Sequence, residues 1–270
     1  LGDKNNWNDI ASDEYKKYIF IGGMPEVVAS FAKNQNYYDT KQILSRLYSV
    51  YIDDVSKYAK RRGEKKYLEW VVESGPRHAG GLFRYENFGE SGYRSREMSD
   101  AFRTVEKVMV LNQIISVNST NYPLHFKFKR PRKLIWLDVG IVNYCLNTYP
   151  DLLKGVYAGK IMEQIVGQTL VAKFKGKPLQ LGYWAKDKDE GSAEVDYCWQ
   201  YNDKIVGLEV KSGVGLKSKS LSKMVDSGKG SVIPVRVSWN KLELANDGIL
   251  NIPFYLLERI DEFFDSLKTV

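Results

Sequence analysis

The chain has 270 residues, 43% hydrophobic and 27% charged, with a formal net charge of +7. That balance fits a globular protein long enough to bury a core, argues against disorder or low complexity, and permits an anionic partner without demanding one. Two cysteines, Cys145 and Cys198, and two histidines, His78 and His125, argue against a disulfide framework and a structural zinc site, and no apolar run of about 18 residues predicts a membrane span.

Residues 13–32, DEYKKYIFIGGMPEVVASFA, predict two short helices broken at Gly22–Gly23, with Pro25 in a first-turn position. Residues 37–60 repeat Ile43, Leu44, Leu47, Val50, Tyr51 and Val55 at helical spacing, and KRRG (60–63) ends that run. Residues 65–74 predict a short amphipathic helix, followed by a glycine-rich loop. A longer helix is predicted over 95–114, N-capped by Ser95, with Met98, Ala101, Phe102, Val105, Val108 and Met109 as its apolar stripe. IISVN then reads as a strand, and HFKFK as a second. Helix, loop, helix and two β segments follow the order of a winged helix.

FKFKRPRK (126–133) carries five cations, Lys127, Lys129, Arg130, Arg132 and Lys133. They suit either a charge-protected hairpin edge or a phosphate-contacting wing. LIWLDVGIVNYCL predicts a strand passing into a short helix. A boundary is expected at residue 150. This divides the chain into a helical segment (1–63), a winged-helix-like domain (64–150) and a C-terminal domain (151–270).

The C-terminal domain reads as a helix (158–174), three strands (179–186, 194–201, 204–213), a helix (216–226) and a strand (231–239), closed by a short strand and a helix. The order α-β-β-β-α-β implies an α/β fold with a mixed sheet flanked by helices. Asn202–Asp203 is a two-residue turn between apolar runs, so the strands either side form a hairpin. Asp196 lies six residues before Asn202 and Glu209 six after Asp203. Symmetric pairing sets them opposite each other on one face, with Lys211 two residues further along that face. Facing carboxylates repel, and a hard divalent cation such as Mg2+ resolves the conflict while taking waters and phosphate oxygens. An Asp, a Glu and a Lys in this arrangement supply the groups needed to hydrolyse a phosphodiester.

The E-x-K spacing alone carries little, because it recurs at Glu14–Lys16 and Glu64–Lys66. Its setting carries more. With Asp196 and Glu209-Val210-Lys211, the element order resembles the PD-(D/E)XK nuclease superfamily, in which such residues bind magnesium and cut DNA. Glu163, in KIMEQIVGQTL, matches a helical glutamate common there. Val195 stands where the superfamily's name places proline. YIFIGGMPEVVASF, LIWLDVGIVNYCL, EVDYCWQ, GLEVKSG and KSKSL together resemble the region that follows the ATPase module in bacterial and archaeal AAA-type ATP-binding proteins, with a winged-helix-like segment and a PD-(D/E)XK-like domain.

No G-x-x-x-x-G-K-[ST] motif is present, and GVYAGKI (155–161) is one residue short between its glycines, so no nucleotide site and no ATPase activity are expected. With no membrane span or signal-peptide pattern, a cytoplasmic protein is expected, and the resemblance implies a C-terminal portion whose partners are DNA and the missing ATPase module. Two functions compete. One is a magnesium-dependent nuclease built on Asp196, Glu209, Lys211 and Glu163. The other is a catalytically silent DNA- or protein-interaction module. Ser212, Lys217, Lys219, Lys223, Arg94, Arg96 and Arg103 suit phosphate contact or plain solvation, and Tyr183 and Trp184 suit the core.

Overall fold

The computed structural model describes residues 6–61, 63–147, 157–176, 180–186, 193–213 and 218–267. The boundary expected at residue 150, the polar loop at 187–192 and Lys217 lie outside them. The protein is α/β, with nine α-helices and nine strands among the described residues. It forms two compact units, one of residues 1–15, 114–130 and 169–270, the other of residues 16–113 and 131–168.

The second unit is mostly helical. Helix α1 (Asn6–Ile21) runs into it from the first unit and stops before the Gly22–Gly23 break. Helix α2 (Pro25–Asn34) opens on the proline and closes on Gln35 in the left-handed conformation. Helix α3 (Tyr37–Ser56) is capped by Asn36, whose side chain accepts the Tyr38 N–H. Helices α4 (Lys65–Ser74) and α5 (Ser95–Lys107) bury Leu68, Val71, Val72, Met98, Ala101, Phe102 and Val105. Phe83, Phe88 and Phe102 fill the space with ring centroids 4.5–5.6 Å apart.

Helix α5 is shorter than its periodicity predicts. Met109 takes a left-handed φ of 62° and is 59% exposed, so the apolar stripe ends at Val105. Strand β2 (Leu111–Val117) therefore begins three residues before IISVN. Ser95 is the first helical residue and not the cap; its N–H donates to Glu86. Strand β1 (Leu82–Phe83), unsuspected from its two residues, pairs antiparallel with β3 (Arg132–Trp136). Helix α6 (Val139–Cys145) follows, capped by Asp138.

Helix α7 (Tyr157–Lys173) begins in the second unit and ends in the first. The first unit is built on a sheet ordered β2–β4–β5–β6–β7–β9–β8, with β4 at Leu181–Ala185, β5 at Glu194–Tyr201, β6 at Lys204–Val210, β7 at Val232–Ser238, β8 at Glu243–Leu244 and β9 at Leu250–Pro253. Pairings β2/β4, β6/β7 and β7/β9 are parallel; β4/β5, β5/β6 and β8/β9 are antiparallel. Strands β2, β4, β6, β7 and β9 thus run one way and present their carboxyl ends along one edge. HFKFK supplies no full strand, only an isolated bridge from Phe126 to Val117.

Helix α8 (Lys219–Gly228) covers one face of this sheet. Its Leu221 and Met224 lie against Gly207, where an added Cβ would sit 2.7 Å from the Met224 sulfur. Gly207 thereby admits the helix to close packing. Cys198, Ile205, Trp184, Val117 and Val232 share that core. The other face buries Trp199 against Phe174 and packs Tyr201 against Phe264 of α9 (Ile260–Leu267).

Candidate active site

The β5–β6 hairpin turns at Asn202–Asp203, with Asn202 at φ 54°, and pairs Tyr201 with Lys204 through to Tyr197 with Leu208. The paired register stops there, one step short of Asp196 and Glu209. Across β4, Gly182 pairs with Cys198 and Trp184 with Val195, so three steps on β5 oppose two on β4. The extra residue is a β-bulge at Asp196–Tyr197, a device that re-aims side chains. There the Asp196 carboxylate accepts the Val210 backbone N–H at 2.8 Å.

Glu209 shares its face with Gly207, and so points to the α8 side near the carboxyl end of β6. It is 8% exposed. Its Oε1 lies 2.5 Å from the Lys211 ammonium, whereas its buried Oε2 has no hydrogen-bond partner among the described residues. The Lys211 N–H donates to Val237 O, which fixes the strand end that carries both charges.

The same level of the sheet holds more polar groups. Glu209 pairs with Arg236 on β7, Arg236 with Asn251 on β9, and Asn251 with Glu243 on β8. Directly paired residues share a face, so Glu209, Arg236, Asn251 and Glu243 form one row across four strands. Arg236 is 2% exposed. Its Nε donates to Ser218 at the start of α8, Nη1 to Asn251 and Nη2 to Asp247. The Asn251 amide in turn donates to Glu243. Sequence reasoning missed Arg236, Asn251 and Ser218, because no short spacing connects them and only strand register brings them together.

Glu163 belongs to the second unit, where Lys133 donates to its carboxylate at 2.8 Å. Lys133 is 1% exposed. This corrects the expected five-cation surface cluster: β3 turns Lys133 inward to an ion pair, unavailable to phosphate. Arg132, in the same unit, lies over the Tyr85 ring at 5.2 Å. In the first unit Lys127 and Lys129 are exposed, while Arg130 Nη1 donates to Ala185 O at 2.5 Å. Ser212 is half-buried, Lys219 and Lys223 are exposed, and so are Arg94, Arg96 and Arg103; Arg103 reaches Asp100. Tyr183 and Trp184 are core residues.

Among the described residues no three His, Cys, Asp or Glu side chains gather as a metal cluster. A cation at Asp196 and Glu209 would therefore have two carboxylates, with water and substrate oxygens for the remainder. Magnesium commonly accepts such a set. No described helix is long and apolar enough to cross a membrane.

Residues 12–151, just over half of the chain, match the model of a family described as Domain of unknown function (DUF8612). The chain belongs to that family. Residues 158–255 of this DUF8612 protein match a second one, Domain of unknown function (DUF4143), which is typically found with AAA ATPases. No curated protein matches the chain. A crystal structure of protein VC1899 from Vibrio cholerae is similar at 13% identity and a TM-score of 0.30, over 91% of this chain and 58% of that one. The chain thus spans little more than half the length of that structure.

Proposed function

We propose that this chain is a nuclease-like, DNA-binding module working with an AAA-type ATPase, with magnesium-dependent phosphodiester hydrolysis at Asp196, Glu209 and Lys211. The observation that carries the reading is Glu209. A carboxylate oxygen buried without a partner among the described residues costs free energy that a bound cation would offset. Asp196, on the neighbouring strand with its carboxylate on the Val210 N–H, is the natural second ligand. The match to a domain typically found with AAA ATPases supports the ATPase partner.

Asp196 and Glu209 would hold the ion. Magnesium, when bound, supplies Lewis-acid polarisation of a phosphoryl oxygen and of water. Lys211 keeps an ammonium at the same carboxylate, suited to orient water and to stabilise negative charge growing on phosphorus. The Val210 amide fixes Asp196, and Arg236 ties β7 to β9 and to the start of α8 beside the Glu209 strand.

Nicking of supercoiled plasmid tests the reading. The wild type is expected to nick with Mg2+ and not with EDTA, and Asp196→Asn, Glu209→Gln and Lys211→Ala each to lose about 100-fold or more. Undiminished nicking by Asp196→Asn would sink it. A second reading, a catalytically silent interaction module, is favoured by the Glu209–Lys211 pair, which already neutralises the carboxylate. DNA binding by a wild type that never nicks would select it.

A further inference from the structure

The turn at Lys127–Arg130 lies at the same sheet edge as the carboxylates. It is pinned there twice: the Lys127 N–H donates to Ser116 O near the end of β2 at 2.7 Å, and Arg130 Nη1 to Ala185 O at the end of β4. Ala185 pairs with Glu194 of β5, two residues before Asp196. Leu124 and Phe126 pack on the core below, which anchors the loop. Above the anchor the pattern inverts. Phe128 is 55% exposed, between exposed Lys127 and Lys129, and Tyr122 on the same loop is 60% exposed. Neither lysine has an ion-pair partner among the described residues.

We propose that this turn is a binding lip for single-stranded nucleic acid, with Phe128 stacking on a base and Lys127 and Lys129 taking the flanking phosphates. The assignment rests on the hydrolase reading for its location beside a phosphodiester site, and it adds the substrate class. Three features carry it. An aromatic ring between two cations matches alternating base and phosphate along a strand. The backbone is held by two hydrogen bonds and a packed base, so the ring is presented at little ordering cost. The edge is where strand carboxyl ends gather in a parallel arrangement, the usual position of ligands on such sheets. A duplex keeps its base faces stacked and would leave Phe128 unused; a single strand offers them.

The test is fluorescence anisotropy with a labelled oligothymidylate and a duplex of equal length, in EDTA, using the full chain. The wild type is expected to prefer the single strand. Phe128→Ala is expected to weaken single-strand binding about 5- to 150-fold. Lys127→Ala with Lys129→Ala is expected to flatten the salt dependence by about 1.4 in log–log slope. Equal binding by Phe128→Ala, a preference for duplex, or Phe128-dependent binding only to anionic vesicles would each overturn the lip. Plasmid nicking is read on the same preparations with Mg2+. Nicking with Phe128-independent binding defeats the lip and leaves the hydrolase reading standing. Phe128-dependent binding without nicking does the reverse.

Discussion

The Glu209 carboxylate has one oxygen on Lys211 and one without a partner among the described residues. Removing the ammonium leaves the whole charge uncompensated in a site 8% exposed. Lys211→Met is therefore expected to cost about 2 kcal/mol in EDTA, read as a lower urea midpoint at unchanged slope. Excess Mg2+ should restore about that much if it occupies the two carboxylates, since ligand at a hundred times its Kd adds about 2.7 kcal/mol. Glu209→Gln should show no Mg2+ response. A Lys211→Met protein as stable as wild type in EDTA would refute the assigned ion pair. The two cysteines are expected to be unreactive. Burial pushes the Cys145 thiol up to about 12, and Cys198 is fully buried. Neither is expected to be alkylated by iodoacetamide in the native protein at pH 8, because the thiolate is the nucleophile; mass spectrometry before and after unfolding checks this.

At the scale of elements, two motifs prominent in the sequence turn out to be halves of one joint. The Asp138 carboxylate accepts N–H groups from Gly23 of GGMP and from Gly140 and Ile141 of its own helix α6. Gly22 sits at φ 79°, where a Cβ would come within 2.1 Å of Asp138 Oδ1. Gly22→Ala is expected to destabilise by about 3 kcal/mol, and Asp138→Ala by at least as much, since buried amides lose their acceptor. Burial raises the Asp138 carboxyl above its ordinary 3.8, outweighing the pull of the amides. A raised acid contributes its stability below its ordinary value and loses it as pH climbs through the folded-state value. The stability advantage of wild type over Asp138→Asn should thus shrink between pH 3 and neutrality, in urea titrations across that range. The β5–β6 hairpin was legible because Asn202–Asp203 and the flanking alternation are local signals. The Arg236–Asn251 pairing was not, because parallel register between β7 and β9 leaves no mark at short range. The Glu163–Lys133 contact was hidden for the same reason; both residues were visible as charges, and only the fold made them partners.

The whole chain is interleaved in a way composition does not signal. Residues 114–130 lie between two stretches of the second unit, yet they belong with residues 169–270. The boundary expected at residue 150 lies outside the described residues, and the sheet formed with residues 169–270 takes a strand from before it. Ile115, Ser116 and Val117 pair in parallel with Gly182, Tyr183 and Trp184 of β4. Val117 is fully buried in the core that also holds Trp184 and Met224. A fragment of residues 151–270 lacks that strand. It would expose the β4 edge, with its unpaired amides and carbonyls, and open the core beside Trp184. The fragment is therefore expected to unfold without a sharp transition and to aggregate, whereas the full chain unfolds cooperatively. Urea unfolding followed by tryptophan fluorescence and far-ultraviolet circular dichroism separates the outcomes. Coincident, steep transitions from the fragment would mean that β2 is dispensable to the sheet. Failure of the fragment would make the parallel β2/β4 pairing a condition of the candidate site itself, because the strands that carry Asp196 and Glu209 are built outward from β4.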